Sequence, residues 1–466
     1  MSGFTEEPAT LDVIAEIERR LPPVSLWGNR FADLSLSEVM DRLDVPGLSV
    51  AVVNDGRLDW ARGYGQRDAE NHDPVETSTL FQAASISKPV AALAALRMAE
   101  QGHLDLDEDL NAYLTSWRIP ANDDWQPRIT LRHLLSHSGG LTVHGFTGYR
   151  RSQLQPTILQ ILDGQRPANS APIRVDALPG TQFRYSGGGY TVLQQLLEDV
   201  SGEPFANLVR SLVLDPAGMD QSRYAQPLPD DLHPLAASGH RSGGEVIGGK
   251  WHVYPELAAA GLWTTPTDLC RLAITLQKTL AGESSAILSP AMMRQMLQPP
   301  ADEHMGLGFF IVGDSAHARF GHTGGNEGFR CELVAYQQGG FAAAVMSNSD
   351  SGTAVVGAVL QAIASAYGWP GYVRSPQPQP SPSQDVMEQL TGDYELRPGF
   401  NLTVKRATTG LTLSVQGQPP LNLIPVDDGT WTAHEVEMAL RFDVQPGQSP
   451  VLVLQQNGAD LRAPRI

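Results

Sequence analysis

Lysine is the scarcest charged residue in this chain. Of 33 basic residues among 466, only Lys88, Lys250, Lys278 and Lys405 are lysines. With 51 acidic side chains the net charge is −18, which excludes nucleic acid or an anionic membrane as a partner. Cysteine is scarcer still. Two residues, Cys270 on a predicted helix and Cys331 on a predicted strand, cannot build a disulfide scaffold and match no metal-binding spacing, so both are expected as buried thiols. No apolar run spans a bilayer: the longest, about 354–369, is interrupted by Gln361 and reads as a core helix. No basic start followed by an apolar segment opens the chain. Leu11, Ile14, Ile17 and Leu21, three or four apart, predict a short amphipathic helix instead. The expected location is the cytoplasm, or the periplasm or exterior if a leader has been removed.

What is present is ordinary globular material, 41% apolar and 18% charged, long enough for two or three domains. An apolar run at 48–53 meets Asn54-Asp55-Gly56 and continues at 57–61, which predicts a hairpin with an Asp-Gly turn. From about 102 to 289 strand signals are sparse and helices with long polar connections are expected. There Asp105, Asp107, Asp109 and Asn111 have the spacing of a calcium loop, but Leu110 and Ser116 stand where glycine and glutamate are needed, so a solvated helix start is the better reading. His133 and His137, four apart on a predicted helix, lack both the glutamate of His-Glu-x-x-His and a third ligand, and no metal is expected. Gly187, Gly188 and Gly189 make a turn before a helix at 191–200, where the backbone can approach a neighbour closely. Strand signals return at 308–312, 329–336 and 341–346, followed by a helix at 352–369. Strands at both ends with helices between imply one sheet built from both parts. Alternating Pro376, Pro378, Pro380 and Pro382 mark an extended linker at 374–385. Short alternating runs beyond it predict a small antiparallel barrel at 386–466.

The chemistry is concentrated at 81–98. Apart from Ser85 and Lys88 most side chains from Ile86 to Gln101 are apolar, so this helix is enclosed rather than amphipathic. A spacing of three puts Ser85 and Lys88 on one side of its first turn, and Pro89 costs little there. A serine needs a neighbouring base, and a lysine can serve only if burial and the positive helix end depress its pKa. Alone, Ser-x-x-Lys is a weak signal.

The conjunction is stronger. Ser85-x-x-Lys88, then Tyr185-Ser186-Gly187, then His322-Thr323-Gly324 resembles, in order and spacing, the serine β-lactamase and penicillin-binding-protein superfamily. The nearest likeness is to class C β-lactamases, DD-carboxypeptidases of that branch, family VIII carboxylesterases and D-aminopeptidases. Two more stretches, 134–141 and 260–269, extend the likeness over about 33–370. Leu390-Thr391-Gly392-Asp393-Tyr394 is similar to the opening of the lipocalin-like barrels that some members carry. The resemblance implies an α+β fold, a β-lactamase-like antiparallel sheet flanked by helices with a mostly helical subdomain, followed by the barrel. The hydrolase domain would span 1–373, with sheet parts at about 33–101 and 300–373 and the helical part at about 102–299.

It also implies roles. Ser85 would be the acylated nucleophile, Lys88 its base and Tyr185 the proton shuttle, its phenol pKa lowered by the nearby ammonium. The backbone N–H groups of Ser85 and Gly325 would form the oxyanion hole; His322, Thr323, Gly324 and Gly187 would contact substrate, and Glu327 is a candidate for a substrate ammonium. No cofactor is required. Two departures bear on substrate: Gly187 replaces the asparagine of many relatives, and His322 replaces the lysine of β-lactamases, which removes a fixed charge at neutral pH. The expected function is a serine hydrolase acting through an acyl-enzyme on a small ester, amide or short peptide, with at most weak β-lactamase activity. The alternatives are a penicillin-binding-type peptide cyclase or transacylase, and a catalytically silent binding protein on the same fold.

Overall fold

The computed structural model describes residues 8–22, 24–26, 29–31, 34–299, 304–313, 316–372, 384–407, 410–415, 420–425, 430–433, 438–444, 449–456 and 459–466. These form two compact units. One comprises 40–356 with the described residues up to 16, the other the described parts of 17–39 and 357–466.

The first unit holds a seven-stranded antiparallel sheet. Strands β1 (Gly47–Asn54), β2 (Arg57–Asp68) and β3 (Asp73–Pro74) come early in the chain. A short strand β4 (Phe81–Gln82) leads to helix α1 (Ser87–Glu100). After helix α2 (Gly187–Ser201), strand β5 (Arg223–Tyr224), the one-turn helix α3 (Leu257–Ala260), strand β6 (Leu262–Thr264) and helix α4 (Pro266–Leu280), the chain returns to the sheet. It does so as β7 (Phe310–Val312), β8 (Arg319–Asn326), β9 (Phe329–Tyr336) and β10 (Ala342–Ser347). The order is β7-β8-β9-β10-β1-β2-β3. Both ends of this region thus build one sheet, as expected, joined where Val345 faces Val50.

Local sequence explains most of this. Every residue of β1 up to Val53 is buried, which is why its apolar run is continuous rather than alternating. Asp55 and Gly56 have φ of 49° and 69°, the left-handed pair that a two-residue hairpin requires. Helix α1 buries eleven of its fourteen residues, so it lies inside the unit, and its alanines let neighbours approach on every side. In the middle region Asp109 caps a short turn, Leu110–Ala112, by accepting a hydrogen bond from Asn111 N–H at 3.2 Å, the helix start predicted for that acidic stretch.

Some expectations change. His137 is not on a helix: the helix Leu131–Leu135 ends before it, and His137 takes a left-handed φ of 55°. The glycine turn is the first turn of α2 itself, which starts at Gly187. Short strands, Tyr149–Arg150 paired with His252–Val253, cross the otherwise helical region. Among the described residues, no three His, Cys, Asp or Glu are grouped to hold a metal, and no helix is long and apolar enough to cross a membrane. Cys270 and Cys331 are free and buried, on the predicted helix and strand.

In the second unit a helix, Gln384–Leu390, precedes eight strands from Gly392–Arg397 to Ala459–Pro464, each antiparallel to the next. A bridge between Tyr394 and Arg465, with Ile466 N–H donating to Asp393 O at 2.9 Å, brings the last strand to the first. Alternate residues such as Leu402, Val404, Leu411, Leu413 and Leu452 fill the interior around Tyr394 and Trp431. This is the expected small barrel. The proline-rich stretch up to 383 lies outside the described residues.

Leu93 is fully buried in α1. Its replacement by alanine is expected to lower unfolding free energy by about 2–5 kcal/mol, measured by urea denaturation.

Candidate active site

The segment before Ser85 is clamped. Strand β6 lies between β4 and β5, and Ala83 N–H donates to Leu262 O at 2.9 Å. Ala84 then adopts a left-handed φ of 49°, an unfavourable conformation for a residue with a side chain. The turn Ala84–Ile86 runs directly into α1. Ser85 is partly exposed between two buried neighbours.

One helical turn on, Lys88 Nζ lies 2.9 Å from Ser85 Oγ and 2.9 Å from the carbonyl oxygen of Ala259 at the end of α3. The amine is buried, and its two hydrogen-bond partners are uncharged. Burial therefore pushes its pKa down to about 7.

Tyr185 reaches the same point from the segment before α2. Its ring centre is 4.9 Å from Lys88 Nζ, and Ser85 interacts with its hydroxyl in the sense that lowers the phenol pKa. Burial raises its pKa more than Ser85 lowers it. The expected lowering by an ammonium fails because the same burial removes the charge from Lys88. His137, 4.3 Å from Tyr185 between ring centres, accepts a hydrogen bond at Nδ1 from Ser186 N–H at 3.0 Å. Burial, then Lys88, holds it well below the ordinary histidine range, so it too is uncharged.

Strand β8 forms the opposite wall. Gln337 N–H donates to Ala318 O, which fixes the even-numbered positions as those bonded to β9; odd-numbered ones point to the other edge. Gly321 uses that edge to pair with Phe310 of β7. Past the end of β7, Thr323 and Gly325 have no strand partner on that edge among the described residues, and their N–H groups face off it. Side chains alternate as well: His322, Gly324 and Asn326 are buried, while Thr323 and Gly325 are exposed. Gly324 is required by the packing, since a β-carbon there would collide with the carbonyl oxygen of Ala83 and with Sγ of Cys331. Asn326 fixes the strand end by donating to Gln82 Oε1 at 2.7 Å and Ala260 O at 3.1 Å. His322 has its Nδ1 2.6 Å from Thr323 O, and its ring centre is 6.1 Å from that of Tyr185. Burial, then Lys88, pushes its pKa down to about 3.

Ser85, Lys88, Tyr185 and His322 are thus brought together, with Gly324 packed against the backbone of Ala83. Gly187 is close by as the first residue of α2. Glu327 is occupied: it pairs with Arg241, while its N–H donates to Tyr254 Oη at 2.9 Å. Residues that sequence reasoning missed are Ala259, whose carbonyl holds the amine, and Gln82 and Asn326, which lock two walls. A backbone carbonyl leaves no mark in a sequence; the side chains lie 244 positions apart. Chemically, a hydroxyl touching an amine whose pKa is about 7, beside a neutral phenol and backbone N–H groups on a strand edge, can perform acyl transfer.

The family model described as beta-lactamase matches residues 33–367. Esterase EstB of Burkholderia gladioli is 31% identical over 40% of this chain and 48% of its own length. Penicillin-binding protein 4* of Bacillus subtilis is 23% identical over 90% of this chain and 94% of its own. The chain therefore spans about half of the first relative and nearly all of the second. Among solved structures, the octameric penicillin-binding protein homologue from Pyrococcus abyssi superposes with a TM-score of 0.62 at 20% identity, over 92% of this chain and 98% of that one. At that identity the likeness is one of fold.

Adding a methyl group at Gly324 would push β8 away from Ser85. Displacement of about 1 Å costs about 10²-fold in rate. Gly324→Ala is expected to slow fluorophosphonate labelling of the protein by about that factor, measured by intact mass, while cooperative thermal unfolding persists.

Proposed function

The chain belongs to the beta-lactamase family, and on that footing we propose that it is a serine hydrolase that works through an acyl-enzyme on a small, uncharged ester or amide. The observation that carries this reading is the 2.9 Å contact between Ser85 Oγ and a buried amine with no acidic partner.

Lys88, as the free amine, takes the Ser85 proton while Oγ bonds to the substrate carbonyl carbon. The oxygen that gains charge is held by the N–H groups of Ser85 and Gly325. Tyr185, kept neutral by burial, gives its proton to the leaving group as that bond breaks, and recovers one from the Lys88 ammonium. Water then attacks the acyl-enzyme by the reverse path. Because His322 is uncharged at neutral pH and Lys88, with a pKa of about 7, carries only part of a charge there, neither offers a substrate carboxylate a full, fixed counter-charge. This favours neutral esters and amides over penicillins.

Three outcomes are expected. A fluorophosphonate gives one adduct by intact mass, lost in Ser85→Ala, whereas a penicillin labels slowly if at all; an adduct that survives in Ser85→Ala contradicts the assignment. Lys88 accepts a proton only above about pH 7, so kcat/KM for an ester falls as pH drops through that value. Lys88→Arg abolishes turnover at every pH, because arginine does not deprotonate.

A further inference from the structure

Helix α2 begins with three glycines, and another piece of backbone lies against the first two. Gly187 N–H donates to His144 O at 2.9 Å, and Gly188 N–H to Val143 O at 2.9 Å. Ser186 Oγ donates to Thr142 O at 2.7 Å and accepts from Gly189 N–H at 2.9 Å. The segment 142–146 is thus strapped across the helix start, and it satisfies the N–H groups that a helix leaves unpaired there. A β-carbon at 188 would stand 2.6 Å from Thr142 O, so the strap can approach this closely only over glycine. At 187 a β-carbon would stand 3.1 Å from His144 O and 3.1 Å from Cε2 of Phe146.

The place of the asparagine that many relatives carry is therefore filled by a carbonyl oxygen and an aromatic ring. Neither can donate a hydrogen bond to an acyl amide. Tyr185, two residues away, has the His144 ring 4.9 Å from its own and stacks with Phe310 at 6.4 Å; Phe146, Phe183 and Phe310 are all partly exposed. Beside Tyr185 and Gly187, the strap and these rings present apolar surface.

We propose that Phe146, seated on Gly187, is a specificity-determining residue that selects substrates with an apolar, unbranched acyl chain. This deepens the hydrolase reading and rests on it. An acyl chain that packs on the ring gains by the area it removes from water, about fourfold in equilibrium for each buried methylene. A short acyl group does not reach it.

The test compares p-nitrophenyl acetate, butyrate and hexanoate, which share a leaving group, in wild type, Phe146→Ala and Phe146→Leu. Fluorophosphonate labelling of Ser85 is followed separately. The expected result is a hexanoate-to-acetate ratio of kcat/KM well above one in wild type. It falls by about tenfold in Phe146→Ala and largely recovers in Phe146→Leu, which restores apolar volume. A ratio that is the same in wild type and Phe146→Ala overturns the proposal, as does a wild-type preference for acetate. Labelling of Ser85 without turnover of any of these esters also overturns it while leaving the nucleophile assigned. Absence of labelling removes the hydrolase reading itself.

Discussion

The site depends on one costly act, the burial of the Lys88 amine with a hydroxyl and a carbonyl as its hydrogen-bond partners among the described residues. An isolated ammonium in a low-dielectric interior is several kcal/mol less stable than in water, and the amine releases its proton instead. The consequence spreads to its neighbours. Without an ammonium beside it, Tyr185 has no reason to ionise, and His137 and His322 are kept neutral by the same enclosure. Of the four titratable groups that meet around Ser85, three are uncharged near neutrality and Lys88, with its pKa at about 7, exchanges its proton there. That condition suits a base which must accept a proton, and a phenol which must give one.

Enclosure has to be built from several directions. The apolar faces of α1 supply part of it, and the carbonyl of Ala259 orients the amine from α3. Strand β8 closes the other side, tied by Asn326 to Gln82 and Ala260 and allowed close by the missing side chain of Gly324. The strap over α2 completes the wall through two further glycines. Glycine here does not confer flexibility; it admits backbone where a side chain would keep walls apart.

Parts of this were legible in the sequence. Ser85 and Lys88 stood out because two polar residues three apart interrupt an apolar helix, and the Asp55-Gly56 hairpin because its turn chemistry is local. The barrel showed in strict alternation. Strand β8 carried no such signal: Gly321-His322-Thr323-Gly324-Gly325 is poor in strand-forming residues, and only the resemblance placed it on a strand. Its register with β9 and the contact with Ala83 hold it, and both are long-range. The start of α2 was misread for a similar reason, since three glycines look like a turn until the strap's carbonyls are seen on their N–H groups. His137 appeared helical by spacing, yet its helix ends early and a left-handed residue turns the ring against Tyr185. The phenol shift was misjudged because charge was considered before burial. Glu327, a candidate for a substrate ammonium, was read without Arg241, which lies 86 residues earlier.

The scarcity of lysine makes the central claim directly measurable. With only four lysines in the chain, a protein labelled with ¹³C at lysine Cε gives four resonances, and Lys88→Arg identifies one of them. Titration should show that resonance changing with a midpoint near pH 7. If that resonance instead titrates near pH 10, the ordinary lysine value, Lys88 is a full ammonium at neutral pH, and the account of a base with a depressed pKa beside Ser85 is wrong.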